Sequence, residues 1–222
     1  MYLLLLICSD IEVVYISVLS ICMKNFIETY LEEVAQIAKT INKDEIVNVA
    51  NEIIKVRDQG GRIFFIGVGG SAGNASHAVC DLRKLTGIEC YAPSDNISEL
   101  TARTNDEGWD TIFSAWLKVS QLKAEDLIFV LSVGGGSRER NISPGIVNAL
   151  ELAKERGSRV VGIIGKEEGY TRKVANASIL VPIANKEHIT PHSESFQTII
   201  WHLFASIPGL KINPTKWESQ PV

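Results

Sequence analysis

His77 and Asp81 stand four residues apart, and Glu194 and His202 eight apart. On a helix, residues four apart share one face, and eight residues rise about 12 Å, roughly two turns. Imidazole nitrogens and carboxylate oxygens are the ligands that zinc and other divalent ions accept. The same two groups form an acid–base couple, a carboxylate to take a proton and an imidazole to return one. Pairs carried by two helices can converge on one cation or on one reacting carbon. Spacing alone also fits a simple helix ion pair and half-buried histidines. His188 and His192, in Lys186-Glu-His-Ile-Thr-Pro-His192, either line the same cleft or belong to a loop.

Two glycine-serine segments supply a different chemistry: Gly67-Val-Gly-Gly-Ser71 and Ser132-Val-Gly-Gly-Gly-Ser137. Glycines let the backbone approach an anion, and free amides at a helix N-terminus favour negative charge. Neither segment is a Walker motif, because no Gly-Lys-Ser/Thr follows. Ala72 stands where the dinucleotide fingerprint has its third glycine. Either loop alone also fits a tight strand-to-helix turn; two of them in one sheet favour phosphate binding.

These residues need a scaffold, and the hydrophobic pattern describes one. Phe26, Ile27, Tyr30, Leu31, Val34, Ile37 and Ala38 recur at helical spacing, as do Ile46, Val47, Val49, Ala50, Ile53 and Ile54 beyond an Asn42-Lys43-Asp44 break. Short apolar runs at Arg62–Gly67, Asp126–Leu131, Arg159–Ile164 and Ser178–Val181 read as strands, with a weaker one at Glu89–Tyr91. Helices are expected at Ser71–Leu85, Ile97–Ala102, Asp110–Val119, Ile146–Arg156, Tyr170–Ala175 and His192–Ile207. Strands alternating with helices predict an α/β fold, a three-layer, Rossmann-like sandwich with a mainly parallel sheet and helices on both faces. Ligands of such sheets bind beyond the carboxyl ends of the strands, where both glycine loops fall.

Composition narrows the function. The chain has 222 residues, 22 Lys+Arg against 26 Asp+Glu, a net charge of −4, 45% hydrophobic and 22% charged residues. This is an ordinary globular balance with no electrostatic case for nucleic acid. The four cysteines show no C-x-x-C spacing, so a reducing cytoplasm is the expected location. Mean hydropathy is +0.11, and much of the excess lies in residues 1–22. Asp10 and Glu12 count against a membrane span, and no Lys or Arg precedes Lys24 to make a signal peptide. Residues 1–22 read as an apolar extension upstream of a start at Met23. An N-terminal helix or anchor and a cleaved signal are the alternatives. One domain is expected over residues 23–211, then an irregular tail over 212–222.

Taken together, Gly67-x-Gly-Gly-Ser71, His77, Asp81 and Leu100-Thr-Ala-x-x-Asn105-Asp-x-Gly108-x-x-x-Ile-Phe113 resemble the sugar isomerase (SIS) family, in particular its phosphoheptose isomerases. The resemblance runs through Ser132–Ser137 and Val160–Gly165 and covers about Phe26 to Leu210. It implies interconversion of sedoheptulose 7-phosphate and a heptose 7-phosphate aldose through an enediol, in a homotetramer with active sites at subunit interfaces. It implies Asp81 as base and His202 as acid. It also implies a divalent metal, zinc, on His77, Asp81, Glu194 and His202, and substrate contacts at Gly69, Gly70, Ser71, Asn105, Asp106, Ser132, Ser137 and Glu194. The expected partners are thus a phosphorylated sugar and further copies of the chain, with neither nucleic acid nor membrane.

The chain departs from that family at the site itself. Val68 replaces an Asn before the paired glycines. Asp81 replaces a Glu and reaches roughly 1.5 Å less far. Glu194 replaces a Gln and adds a negative charge. Ser132-Val133-Gly134 replaces a Ser-Thr-Ser phosphate loop, losing two hydroxyls. Two rivals therefore stand beside the heptose reading: an isomerase of another sugar phosphate, and a non-catalytic sugar-phosphate sensor or DnaA-binding regulatory protein.

Overall fold

The apolar runs become strands buried along their length: β1 (Ile63–Gly67), β3 (Leu127–Ser132) and β4 (Arg159–Ile164), with the short edge strand β2 (Cys90–Tyr91) and β5 (Ala177–Leu180). The computed structural model describes residues 2–216 and 218–220, with side chains from Leu19 onward. All strand pairings are parallel, in the order β2-β1-β3-β4-β5. A parallel neighbour requires a crossover, and helices provide it. The helices are α1 (Tyr2–Thr40), α2 (Lys43–Asp58), α3 (Gly70–Thr86), α4 (Ile97–Glu107), α5 (Ile112–Val119), α6 (Pro144–Arg156), α7 (Tyr170–Val174) and α8 (Ile189–Ser206).

The alternation of side chains across each strand divides the core in two. Phe64, Ile66, Ile128 and Val130 face α5 and α6, where Ile112, Phe113, Leu117, Ile146 and Leu150 close over them. On the opposite face Phe65 stacks on Phe129, which meets Phe204 of α8. Contacts place α3 over β1, α8 over β3 and β4, and α2 against β4 and β5. The result is the three-layer α/β sandwich expected from the sequence.

The chain divides into two units, Met1–Thr40 and Ile41–Val222. The first is the helix α1, in which Phe26 and Tyr30 make a ring contact at 6.1 Å. The second holds the whole sheet. The expectation for residues 1–22 falls mostly on residues whose side chains lie outside those described. Among the described residues, no helix is long and apolar enough to cross a membrane. The described part of the tail is irregular, yet its start is fixed: the amides of Ile212 and Asn213 donate to the Leu85 carbonyl at 2.8 and 3.1 Å, closing the end of α3.

Candidate active site

A sheet ordered 2-1-3-4-5 opens its ligand crevice between strands 1 and 3, because the connections leave those strands in opposite directions. The two glycine-serine loops follow β1 and β3, so both stand at that switch point. In the first loop Gly69 has φ 64°, a left-handed conformation that favours glycine, and α3 starts at the next residue. Among the described residues the amides of Gly69, Gly70 and Ser71 carry no hydrogen bond. They are the open donors of a helix N-terminus.

The second loop is folded differently. The Ser132 hydroxyl accepts the Gly135 amide at 3.0 Å, and Gly135 and Gly136 both have positive φ. The Gly136 and Gly135 carbonyls accept the first amides of α7, Tyr170 at 2.8 Å and Thr171 at 2.9 Å. The amides of Gly134 and Gly136 remain without a hydrogen bond among the described residues. The chain then forms a tight hairpin, with Ser137 and Ile142 exchanging backbone bonds, before α6 starts at Pro144. Ser137 is engaged in that hairpin. Its hydroxyl donates to Glu139 at 3.1 Å and accepts the Arg140 amide at 3.2 Å. The Glu139 carboxyl is held below its usual range by its own backbone amide and by the Ser137 hydroxyl, so it is an ionised acceptor.

Helices α3 and α8 lie side by side and run the same way. Their register is set residue by residue. A side chain at Gly70 would collide with the Glu194 carboxylate. One turn on, Asn74 donates through Nδ2 to the Glu194 carbonyl at 2.9 Å and to Gln197 Oε1 at 3.0 Å. Its Oδ1 accepts the Thr198 hydroxyl at 2.8 Å. Another turn on, the His77 ring packs against Trp201, with centroids 4.6 Å apart. This register brings His77, Asp81 and His202 together, with one ligand atom of each within 4.8 Å of the others. Asp81 Oδ2 lies 3.7 Å from His202 Nε2 and 4.0 Å from His77 Nε2.

The tautomer of His202 follows from its neighbour. Nδ1 lies 2.9 Å from the Thr198 carbonyl oxygen, which can only accept, so Nδ1 carries a hydrogen and Nε2 faces Asp81. This is the backbone support typical of a metal-binding or acid–base histidine. Tetrahedral zinc ligands at 2.0–2.2 Å stand well under 4.8 Å apart, so a small closure of these three side chains would seat a divalent ion.

The remaining residues expected at the site fall elsewhere. Glu194 is not in the three-residue group; it lies two turns up α8, at the start of α3, where a carboxylate faces the positive helix end. Asn105 and Asp106 are exposed on the last turn of α4 and bond each other at 2.8 Å. Ser71 is buried beside its loop. Asn74 escaped the sequence reading, although its place one turn ahead of His77 on the same helix was the available signal.

Comparisons with known proteins bear on the family and the fold. The lincomycin biosynthesis protein LmbN of Streptomyces lincolnensis is 34% identical over 153 residues, 64% of this chain, and the chain spans about half (54%) of that protein's length. The phosphoheptose isomerase of Aneurinibacillus thermoaerophilus is 28% identical over 207 residues, covering 89% of this chain and 99% of its own. The structure of a phosphoheptose isomerase from Neisseria gonorrhoeae superposes with a TM-score of 0.68 over 82% of this chain and 94% of that one, at 22% identity, a likeness of fold. Residues 29–165 match the SIS domain family, and the chain therefore belongs to it.

Proposed function

We propose that the chain is an aldose–ketose isomerase of phosphorylated sugars, acting on sedoheptulose 7-phosphate to give D-glycero-D-manno-heptose 7-phosphate. The observation that carries this reading is the pairing of a carboxylate with an oriented imidazole, Asp81 Oδ2 and His202 Nε2 at 3.7 Å. Two loops with free amides at the switch point of the same sheet support it. Relatives named phosphoheptose isomerase agree with it.

Isomerisation moves a proton between neighbouring carbons. Asp81 takes the proton from the carbon alpha to the carbonyl. His202, with Nδ1–H anchored on Thr198 and a second proton carried on Nε2, gives that second proton to the neighbouring oxygen, leaving an enediol. Asp81 then returns the proton to the other carbon while His202 Nε2 takes the hydroxyl proton from the oxygen that becomes the new carbonyl, which restores both groups. His77 packs at a tilt against Trp201, with its Nε2 4.0 Å from the same carboxylate oxygen. In place of the Nε2 proton, His77, Asp81 and His202 would hold a divalent ion, zinc by donor type; when bound, it would supply the polarisation of the carbonyl and hydroxyl oxygens that the acid otherwise provides.

The cluster stands on the outer face of α3 and α8, with His77 58% and His202 46% exposed and with Ile199 and Leu203 exposed on α8 beside it. Asp81 is eleven residues from Gly70, about 16 Å along α3. A second copy packed on this face would exclude water and bring another Glu194 and another pair of loops to the cluster. The reading therefore includes a homotetramer with composite sites. The loss of two loop hydroxyls favours one alternative, a sugar-phosphate sensor without turnover.

The test is a panel of ketose phosphates incubated with the purified protein, with products identified by NMR. Sedoheptulose 7-phosphate is expected to be the best substrate. Asp81→Asn and His202→Ala are expected to lose turnover by at least about a hundredfold while remaining folded. Binding without turnover for every member of the panel would replace the isomerase with the sensor.

A further inference from the structure

We propose that Arg140 and Lys166 form a cationic clamp for a phosphate monoester beside the second glycine loop, replacing the donors that Val133 and Gly134 do not provide. The proposal deepens the phosphosugar reading of the same site and rests on it for the ligand class.

Beyond the carboxyl ends of β3 and β4 lies a small pocket of about 80 Å³ lined by Gly134, Gly136, Ser137, Arg140, Lys166 and Glu168. That is the volume of a few waters, suited to one tetrahedral anion. Arg140, Lys166 and Glu168 also line a neighbouring cleft of about 480 Å³, whose other wall is the apolar run Leu180–Ile183. This is the size of a small-molecule site. The pocket is thus the narrow end of a larger space, with charge at the narrow end and an apolar wall for a carbon skeleton.

The donors already present are few. Ser137 gives its hydrogen to Glu139, which leaves the amides of Gly134 and Gly136. These are neutral donors. A dianion calls for cations, and two face the pocket. Neither the Arg140 guanidinium nor the Lys166 ammonium forms an ion pair or side-chain hydrogen bond among the described residues. Arg140 is carried there by the Ser137–Ile142 hairpin, and Lys166 by the turn that follows β4. Guanidinium and ammonium are the two side chains that bind phosphate most strongly, one as a fork and one as a point charge. Glu168 opposes them at the pocket wall, and Glu139, which holds the Ser137 hydroxyl and feels the Arg140 charge, offsets a second positive charge, so the clamp acts through the directed donors of Arg140 and Lys166 rather than through a net field.

The experiment is isothermal titration of the full chain with inorganic phosphate, and with sedoheptulose 7-phosphate set against sedoheptulose. Arg140→Ala and Lys166→Ala are each expected to weaken phosphate binding about tenfold. Glu168→Gln is expected to tighten it. The variants should leave binding of the unphosphorylated sugar unchanged, and all three positions are exposed, so folding is retained and checked by circular dichroism. His202→Ala should bind phosphate like the wild type. Phosphate affinity unchanged in the Arg140→Ala/Lys166→Ala double variant overturns the clamp, as does a wild type that takes up no phosphate at tens of millimolar. If the variants lose phosphate but no ketose phosphate is turned over by the wild type, the clamp stands and the isomerase reading fails.

Discussion

Replacing Asn74 with alanine removes the side chain that sets the register of α3 against α8. Three hydrogen bonds go with it: to the Glu194 carbonyl, to Gln197 Oε1 and from the Thr198 hydroxyl. A net 0.5–1.5 kcal/mol for each gives about 1.5–4.5 kcal/mol. The upper half of that range applies, because Gln197 is fully buried and its Nε2 already has no partner. Losing the Oε1 partner as well strands the whole amide. About 3 kcal/mol in a domain of this length lowers the melting temperature by about 6–12 °C. The conservative variant separates this account from a simple loss of packing. In Asn74→Asp the Thr198 bond survives, and a rotated Gln197 amide can donate its idle Nε2 hydrogen to the new carboxylate. Asn74→Asp should therefore lose less than half of what Asn74→Ala loses. The assay is urea unfolding with paired thermal melts of the three proteins. The same change frees Thr198, whose carbonyl holds His202 Nδ1, so kcat should fall about tenfold with KM little altered. Equal losses in the two variants, or an Asn74→Ala within about 0.5 kcal/mol of wild type, would refute the reasoning.

Three further outcomes follow from the geometry. Chelation of the purified protein, followed by zinc titration, should show tight uptake that His77→Ala and His202→Ala each weaken by at least about tenfold; mass spectrometry of the native protein reads the stoichiometry. At Glu52 burial pushes the carboxyl up, but bonds from Arg159 and Lys55 together outweigh it, and the net direction is down from 4.5. A carboxylate with a lowered folded pKa stabilises the fold above pH 4.5 and loses that stability as pH falls through its folded value, so acid unfolding should be shallower in Glu52→Gln. Burial pushes the Cys90 thiol up to about 12, whereas Cys80 is exposed next to Asp81, so iodoacetamide at pH 8 should label Cys80 and spare Cys90 in peptide maps.

Much of the scaffold could be read from the chain, because strands buried on both faces leave unbroken apolar runs. The runs at Arg62–Gly67 and Arg159–Ile164 match β1 and β4 to within a residue at either end. Boundaries were harder where polar residues continue a helix. α4 extends to Glu107, carrying Asn105 and Asp106, since Arg103 bridges Glu99 and Glu107 along its exposed face. α8 starts at Ile189 rather than His192, because Pro191 is tolerated in a first helical turn. The i, i+4 spacing located His77 and Asp81 on one face, but spacing within a helix says nothing of the register between helices. That register is fixed by Gly70 against Glu194 and Asn74 against Thr198, and it sends Glu194 to the start of α3, away from the other three. Arg140 and Lys166 lie on a hairpin and a turn, where no periodicity marks them, and only the folded sheet brings them to one pocket.

The central claim is that Asp81 and His202 move a proton between neighbouring carbons of a phosphorylated sugar. The most direct measurement is NMR of sedoheptulose 7-phosphate incubated with the protein in deuterium oxide. An aldose product carrying deuterium at C2, taken up through a base that exchanges with solvent, is expected from the wild type, and neither product nor label from Asp81→Asn. Conversion by Asp81→Asn at the wild-type rate, or a wild type that binds the sugar phosphate and leaves it unconverted and unlabelled, would contradict the claim.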